Sequence, residues 1–344
     1  MDSLVTVVIP THERHHLIET NILPHYKGFG APVLIVDSSR NPCMAAKETP
    51  WVDYVHCPGA PIPHKLKAPV LERIETPYAF MCADDSVHSF SGSKRCIDFL
   101  KDNPDYASAM GLTFGCQYPD RSVVYSTDYD ILSMPTDSPV AGERLLQVFA
   151  RFRSLFYSVM RTQTLKDVFR YLPEEIVNYY LMETYIVLMV AASGKHATLP
   201  VAYEATAAGP SINDQDSRYH CSPFKLATHE RYAGEVAATK RAVAEYLMEL
   251  SGISEERAMI YVNGALALYW LQDKPIKSLQ DRILNEWNSF LNKTFHKSQY
   301  KKMNADKKVR QKLLNEKVHA KNLALLSPED LAEYEHLIRI IQKA

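Results

Sequence analysis

The sequence predicts an open α/β sheet followed by a region built only of helices. Two apolar runs, Leu4–Ile9 and Val33–Val36, lack the polar alternation of a half-exposed strand, which is typical of strands covered on both faces in a parallel sheet. A helical pattern at Glu13–Lys27 separates them, and strand, helix and strand in succession build such a sheet. From Pro223 onward the amphipathic runs have helical spacing alone.

The alternation of strands and helices continues as far as residue 208. Apolar runs rich in β-branched and aromatic residues predict strands at Val52–His56, Tyr78–Cys82, Tyr106–Thr113, Val123–Tyr129, Leu155–Met160 and Ala197–Tyr203. Helical spacing predicts helices at His64–Glu75, Ser89–Lys101, Pro139–Arg153, Arg161–Tyr171 and Glu174–Ser193. Residues 1–208 therefore form the first predicted domain.

A polar, turn-rich stretch, residues 209–222, predicts the loop that leads into a helical domain of residues 223–344. The amphipathic runs of that domain predict helices at Leu226–Leu250, Glu255–Leu271, Lys277–Leu291, Ala305–Leu326 and Glu329–Lys343. Their apolar faces leave a homo-oligomer open as an alternative to a monomer.

The charge balance argues against nucleic acid as a partner. Lys and Arg number 39 against 40 Asp and Glu, so the net charge is -1 and no overall field attracts a polyanion. The segment 293–321 is a local exception, with ten Lys or Arg residues and two acidic ones. Such a run is usually a solvated helix face, and docking on an anionic membrane is the alternative. Because no secretory signal or membrane-spanning run is visible, we expect a cytoplasmic protein, with peripheral contact at the inner face of the membrane as the alternative.

Polar residues stand where predicted strands end: Thr11, Asp37, Asp84 and Asp85. Ligands of open α/β sheets bind beyond the carboxyl ends of the strands, so we expect one rim to gather these side chains. The adjacent carboxylates of Asp84 and Asp85 repel each other, which calls for a cation nearby. Hard oxygen donors suit Mg²⁺ or Mn²⁺, whose shells are completed by waters and substrate phosphates. Lys65 lies before the strand that delivers the pair and can meet phosphate charge.

Several segments resemble a known family. "VVIPTHERHHLI", "VLIVDSS" and "TPYAFMCADDS" are similar to the successive nucleotide-sugar-binding segments of GT-A glycosyltransferases, especially the large inverting family 2. "FYSVMRTQTL" resembles the strand and helix before the catalytic helix, and "LMETYIVLMVAASGKHATLP" resembles the segment that carries the catalytic carboxylate. The resemblance covers roughly residues 3 to 205 and implies a GT-A sheet that binds a nucleoside-diphosphate sugar.

By position, the resemblance implies roles for individual residues. Together with Lys65, the residues expected at the donor are Thr11, Glu13, Asp37 and Asp84. Asp85 is the expected ligand of Mn²⁺ or Mg²⁺, joined by His220 as a late histidine near the phosphates, and Glu183 is the expected catalytic base. The chain departs from the family where it reads Ala-Asp-Asp in the metal motif and Glu183-Thr184 in place of Glu-Asp, so Asp84 and Asp85 both remain candidates for the direct metal ligand.

The resemblance implies an inverting, metal-dependent transfer of a sugar, with UDP favoured as the nucleotide, to a hydroxyl of a glycan or lipid-linked acceptor in polysaccharide biosynthesis. Two alternatives remain open. One is a sugar-phosphate nucleotidyltransferase. Such an enzyme usually opens with a Gly-rich phosphate loop, and the absence of glycine from "IPTHERHH" makes this alternative the weaker one against the glycosyltransferase. A degenerate transferase fold that only binds a glycan or a partner is the other alternative.

Overall fold

The amino-terminal half of the sheet is parallel. The computed structural model describes residues 4–117, 123–126, 135–208, 223–272 and 316–343. Strand β1 (Val5–Thr11) lies between β2 (Val33–Asp37) and β4 (Tyr78–Met81), and β3 (Val52–His56) pairs with β2. All of these pairs are parallel, so the strands end at one rim of the sheet.

The carboxyl-terminal half of the sheet is mixed. Its strands in the described residues are β5 (Ser86–His88), β6 (Tyr106–Gln117), β7 (Val123–Ser126), β8 (Val159–Arg161) and β9 (Lys195–Ala208). The order is β3-β2-β1-β4-β8-β6-β9-β5, and β7 pairs with β6. Strand β8 runs antiparallel to both β4 and β6 and so joins the two halves. The predicted α/β class is confirmed.

Helices cover both faces of the sheet. Among the described residues up to 208 they are α1 (His15–Leu17), α2 (Leu23–Lys27), α3 (Met44–Lys47), α4 (Ile62–Arg73), α5 (Phe90–Asp102), α6 (Ala141–Ala150), α7 (Thr162–Arg170) and α8 (Tyr179–Ser193). The later helices are α9 (Pro223–Thr228), α10 (Ala233–Ser251), α11 (Glu255–Gln272), α12 (316–325) and α13 (Pro328–Lys343), with a 3₁₀ turn at Glu230–Tyr232. Among all the residues that the structure describes, no helix has both the length and the apolar character needed to cross a bilayer.

Several elements differ from the prediction, and local contacts explain three of the differences. The helix expected at Glu13–Lys27 contains a π-helical turn at Ile18–Ile22, where Pro24 can neither donate a backbone hydrogen bond nor pack against the preceding turn. The helix expected from Glu174 begins only at Tyr179, because the Asn178 side chain caps it by accepting from the Leu181 N–H at 3.1 Å.

The strand expected at Leu155–Met160 begins only at Val159. The Ser158 hydroxyl and N–H both donate to the backbone oxygen of Leu155, which closes a turn in place of the first strand residues. The short strand β5 (Ser86–His88) was not predicted, because three residues are too few to show a period.

The hydrophobic core has a layer on each face of the sheet. One cluster joins Val8 and Leu34 of the sheet to α4, α6, α7 and α8, and it extends to Val243 of α10 and Leu266 of α11. On the opposite face, alternate strand residues pack with Tyr26 and with α5. Helix α13 adds a third cluster over β5, β6 and β9. The helices after residue 223 thus share core clusters with the sheet, and the predicted domain boundaries stay a prediction.

One close helix–strand approach gives a stability prediction. A Cβ added at Gly92 in α5 would lie 2.1 Å from the backbone oxygen of Ala202 in β9, whereas one at Gly234 in α10 would meet no atom within 4 Å. We expect Gly92→Ala to lower the free energy of unfolding by about 1–3 kcal/mol or more. Gly234→Ala, the matched control, should raise it by about 0.4–1 kcal/mol. Urea denaturation of both variants measures the difference, and equal effects would contradict the close approach.

Candidate functional site

Three strand ends build the rim. The register of β1 with β2 places Thr11 directly beside Asp37, and the register of β1 with β4 aligns Val8 with Met81, so the chain reaches Asp84 next to Thr11. The Thr11 hydroxyl donates to Asp84 Oδ2 at 2.8 Å. The prediction that one rim gathers these residues is therefore met by the geometry.

Arg14 is the cation beside the two aspartates. Its Nη1 lies 2.9 Å from Asp84 Oδ1, and its Nη2 donates to Asp85 Oδ2 at 2.6 Å. Burial alone would lower the pKa of Arg14, but the charges of Asp84 and Asp85 outweigh it and raise that pKa. Burial raises the pKa of Asp84 to about 7 against the opposing charge of Arg14. The repulsion between the carboxylates is thus relieved within the chain.

Lys65 is buried behind the rim. Its ammonium donates to the backbone oxygen of Thr11 at 2.6 Å and to the Ser38 hydroxyl at 3.0 Å, so it ties the end of β1 to the end of β2. Its side chain is only 4% exposed, and this burial lowers the pKa of Lys65 to about 8. An ammonium has three N–H donors, so one remains for a ligand.

Asp37 is fully buried and organises the loop after β2. Its carboxylate accepts from the Ser39 N–H at 2.8 Å and the Tyr54 hydroxyl at 2.6 Å, and His15 Nε2 lies 3.1 Å away. Burial alone would raise the pKa of Asp37, but the hydrogen bonds from Ser39 and Tyr54 outweigh it and lower that pKa. The structure therefore places Asp37 at the rim as a structural anchor, and its contact with a base stays a prediction.

Glu13 fixes the turn that leads to Arg14. It has a φ of 54°, a left-handed conformation that is strained for a residue with a side chain. Its N–H donates to the Ser39 hydroxyl at 2.7 Å, and its carboxylate accepts from the Arg40 N–H at 2.7 Å. Glu13 thus joins the loops after β1 and β2, and its predicted contact with a donor is untested.

Glu183 lies near the amino-terminal end of α8 (Tyr179–Ser193), close to a pair of tyrosines. The Ser154 hydroxyl donates to Glu183 Oε1 at 2.6 Å. Burial raises the pKa of Glu183, and the hydrogen bond from Ser154 opposes the shift. The hydroxyls of Tyr157 and Tyr179 lie 3.3 Å apart, and Tyr179 interacts electrostatically with both Glu183 and Asp85. Tyr179 is therefore within electrostatic range of both the predicted base and Asp85.

A small cavity opens at the rim beside Arg14, Lys65 and the two tyrosines. It has a volume of about 70 Å³ and is lined by Thr11, Arg14, Lys65, Asp84, Tyr157 and Tyr179, among others. Sites for small molecules usually hold roughly 300–1,000 Å³, so this cavity fits a phosphate-sized group and a larger ligand needs additional space. A groove of about 750 Å³ lies at the opposite rim, near Trp51 and Arg73, but it lacks the convergent carboxylates.

The residues at the rim do not fit a divalent metal as they stand. Arg14 occupies the space between Asp84 and Asp85, and across the described ranges no three His, Cys, Asp or Glu side chains are grouped to hold a metal. His220, the other predicted ligand, lies outside the described residues, as does most of the basic segment 293–321. No chemical step is therefore assigned to a metal.

Sequence reasoning missed two charged residues of the site. Arg14 lies within the quoted segment "VVIPTHERHHLI", and the need of the aspartate pair for a cation was a signal that could have found it. Glu204 of β9 is only 2% exposed and accepts from the Thr113 hydroxyl at 3.1 Å. Burial raises its pKa to about 7, with Asp85 contributing. A glutamate inside the apolar run of "VAYEAT" was the signal here, since carboxylates are rarely buried without a partner.

Comparison with known proteins places glycosyltransferases among the similar structures. No family model matches the chain, and no curated protein matches its sequence. S. aureus TarS 1-349 in complex with UDP-GlcNAc is 14% identical, covers 99% of this chain and 90% of its own, and superposes with a TM-score of 0.49.

The mannosyltransferase PcManGT from Pyrobaculum calidifontis, in complex with GDP-Man and Mn²⁺, is 15% identical and has a TM-score of 0.44, over 94% of this chain and 88% of its own. At such low identities the similarity concerns the fold alone.

Proposed function

We propose that this protein is an inverting glycosyltransferase that takes its sugar from a nucleoside-diphosphate sugar. The observation that carries this proposal is the convergence of Thr11, Arg14, Lys65 and Asp84 on one cavity at the carboxyl ends of parallel strands. Open α/β sheets bind nucleotides at such ends. The resemblance of the same segments to nucleotide-sugar-binding motifs supports the assignment.

The two cations are the groups proposed to meet the diphosphate. Lys65 lines the cavity and retains an N–H donor, and Arg14 lines it from the side of the aspartates. Charge-assisted hydrogen bonds to phosphate are stronger than neutral ones. Both cations therefore stabilise the negative charge that develops on the diphosphate as it leaves.

Glu183 is the proposed general base. In the transfer step the acceptor oxygen forms a bond to C1 of the sugar, and the bond from C1 to the diphosphate oxygen breaks with its electron pair on the diphosphate. The acceptor hydroxyl proton goes to Glu183, whose raised pKa favours this transfer. Attack from the face opposite the leaving group inverts the configuration at C1.

The acceptor is proposed to be a hydroxyl of a glycan or of a lipid-linked sugar. Tyr157 and Tyr179 line the cavity together with Phe156, and aromatic rings give an apolar surface with a polar edge, which suits a sugar ring. Only residues 316–321 of the basic segment 293–321 are described, and its contact with a membrane stays a prediction from sequence.

A ligand screen tests the proposed function. We would measure binding of UDP, GDP, UDP-GlcNAc and GDP-Man by thermal shift and calorimetry, since a ligand that binds only the folded state raises its stability. The variant is Lys65→Met, and the matched control is Lys67→Met, whose lysine contacts the exposed Glu174. Binding of one nucleotide that Lys65→Met weakens and Lys67→Met preserves is the expected result. Binding of none, or equal binding by all three proteins, would contradict the proposal.

A further inference from the structure

Arg14 uses the oxygens that a metal would need. Of the four carboxylate oxygens of Asp84 and Asp85, one accepts from the Thr11 hydroxyl and two contact the guanidinium of Arg14. The fourth, Asp85 Oδ1, has no recorded partner in the part of the chain that the structure describes. A Mg²⁺ ion is usually held by one or two carboxylates, with waters and phosphate oxygens completing its shell, and here Arg14 contacts one oxygen of each carboxylate.

Arg14 and a divalent metal ion cannot bind the Asp84–Asp85 pair at the same time. An arginine side chain stays charged at any pH a protein tolerates, so Arg14 cannot make room by losing a proton. A divalent ion bound to the same oxygens would lie close to the guanidinium and be repelled by it. Metal binding therefore requires the Arg14 side chain to leave.

The turn that precedes Arg14 is held by contacts with the loop after β2. The strained turn at Glu13 is fixed by the Ser39 hydroxyl and by the Arg40 N–H, and the Arg14 side chain is only 20% exposed. An ordered guanidinium loses less entropy when it binds an oxyanion. A guanidinium has five N–H donors, so its contacts with the aspartates leave donors for phosphate.

We propose that Arg14 occupies the cation position of the Asp84–Asp85 pair, that it excludes a divalent metal from that pair, and that it replaces the metal at the diphosphate. The first two statements concern the protein alone. The third rests on the function proposed above. Substitution of Arg14 should then convert a site with an internal cation into one that binds a metal.

Binding of Mn²⁺ alone tests the exclusion. Calorimetry would compare the wild type, Arg14→Met and the double variant Arg14→Met with Asp85→Asn. We expect Arg14→Met to bind Mn²⁺ at least about tenfold more tightly than the wild type, and the double variant to lose that gain. Equal binding by wild type and Arg14→Met, whether tight or undetectable, would overturn the proposal, since Arg14 would then not be what keeps the metal out.

Circular dichroism would show whether Arg14→Met folds. If it does not, Mn²⁺ binding by the wild type decides whether Arg14 excludes the metal. The single variant Asp85→Asn, which retains the Thr11–Asp84 contact and Arg14, is then compared with the wild type. Wild-type binding of Mn²⁺ in the micromolar range that Asp85→Asn removes would overturn the proposal. Absence of such saturable binding in the wild type supports it.

A second arm tests the role at the diphosphate, with UDP as the probe. In the wild type, UDP affinity should be the same with EDTA as with Mn²⁺. In Arg14→Met with EDTA it should fall about tenfold or more, and Mn²⁺ should restore part of it. A wild type that binds UDP only with Mn²⁺ would overturn the proposal. If UDP binds to neither protein under either condition, the proposed function fails at that point, and the Mn²⁺ titration still decides whether Arg14 excludes the metal.

Discussion

Glu183→Gln is expected to lower the rate of sugar transfer by about 10²- to 10⁴-fold, the range that a general base contributes. Gln keeps the shape of the side chain and can still accept from Ser154, but it cannot take the acceptor proton. The affinity for UDP should stay within about twofold of wild type, because no contact with the diphosphate is assigned to Glu183. Single-turnover kinetics and calorimetry measure the two quantities separately.

The matched control is Glu174→Gln, which changes a carboxylate that is 78% exposed. It should leave the transfer rate unchanged. A Glu183→Gln variant that transfers sugar as fast as the wild type would remove Glu183 from the mechanism. A variant that loses UDP binding to the same extent as activity would instead indicate damage to the whole site.

Lys65→Met is expected to lower the affinity for UDP by about 10- to 100-fold, since a charged hydrogen bond in a buried place is worth about 1.5–3 kcal/mol. Lys65 is only 4% exposed, so its charge is screened little by salt. Calorimetry on the wild type, Lys65→Met and Lys67→Met measures the effect. A loss in both variants would point to general electrostatics in place of a specific contact.

The pH dependence of UDP affinity follows from the same lysine. With a pKa of about 8, Lys65 is charged below pH 8 and loses its proton above it, so UDP affinity should fall as pH rises through about 8. Lys65→Met should not show this fall.

The same lysine also makes stability depend on pH. In the folded chain the pKa of Lys65 lies below the ordinary 10.5, so the unfolded state binds more protons between about pH 8 and 10.5. Lys65 therefore makes the free energy of unfolding rise with pH across that window.

The rate of transfer should show an acid limb as well. Glu183 accepts a proton only when it is ionised, so the rate should rise with pH through its raised pKa. Ser154→Ala removes the hydrogen bond that opposes this shift, and the acid limb should then move to higher pH. A pH–rate profile of both proteins measures the displacement, and a shift toward lower pH would contradict the assigned contact.

The sheet could be predicted from the sequence more completely than the contacts of the site. Unbroken apolar runs such as Val33–Val36 require burial on both faces, so their parallel pairing could be predicted. The clustering of Thr11, Asp84 and Asp85 followed because parallel strands end at one rim. These features depend on period and order along the chain alone.

The partners of each rim residue depended on contacts far apart in sequence. Arg14 reaches Asp85 only because Glu13 adopts a left-handed turn, and no local pattern requires that turn. Asp37 keeps a lowered pKa although it is buried, because Ser39 and Tyr54, the latter from the neighbouring strand, donate to it. Two adjacent carboxylates lead one to expect a metal ion. In the structure the guanidinium of Arg14 neutralises Asp84 and Asp85 instead.

The position of bound UDP tests the central claim most directly. In a crystal structure of the protein with UDP, the diphosphate should lie at the rim, within hydrogen-bond distance of Lys65 Nζ and the Arg14 guanidinium. UDP bound instead in the groove of about 750 Å³ near Trp51 and Arg73 would contradict the account, because that groove lies at the amino ends of the strands, away from Glu183 and the aspartates.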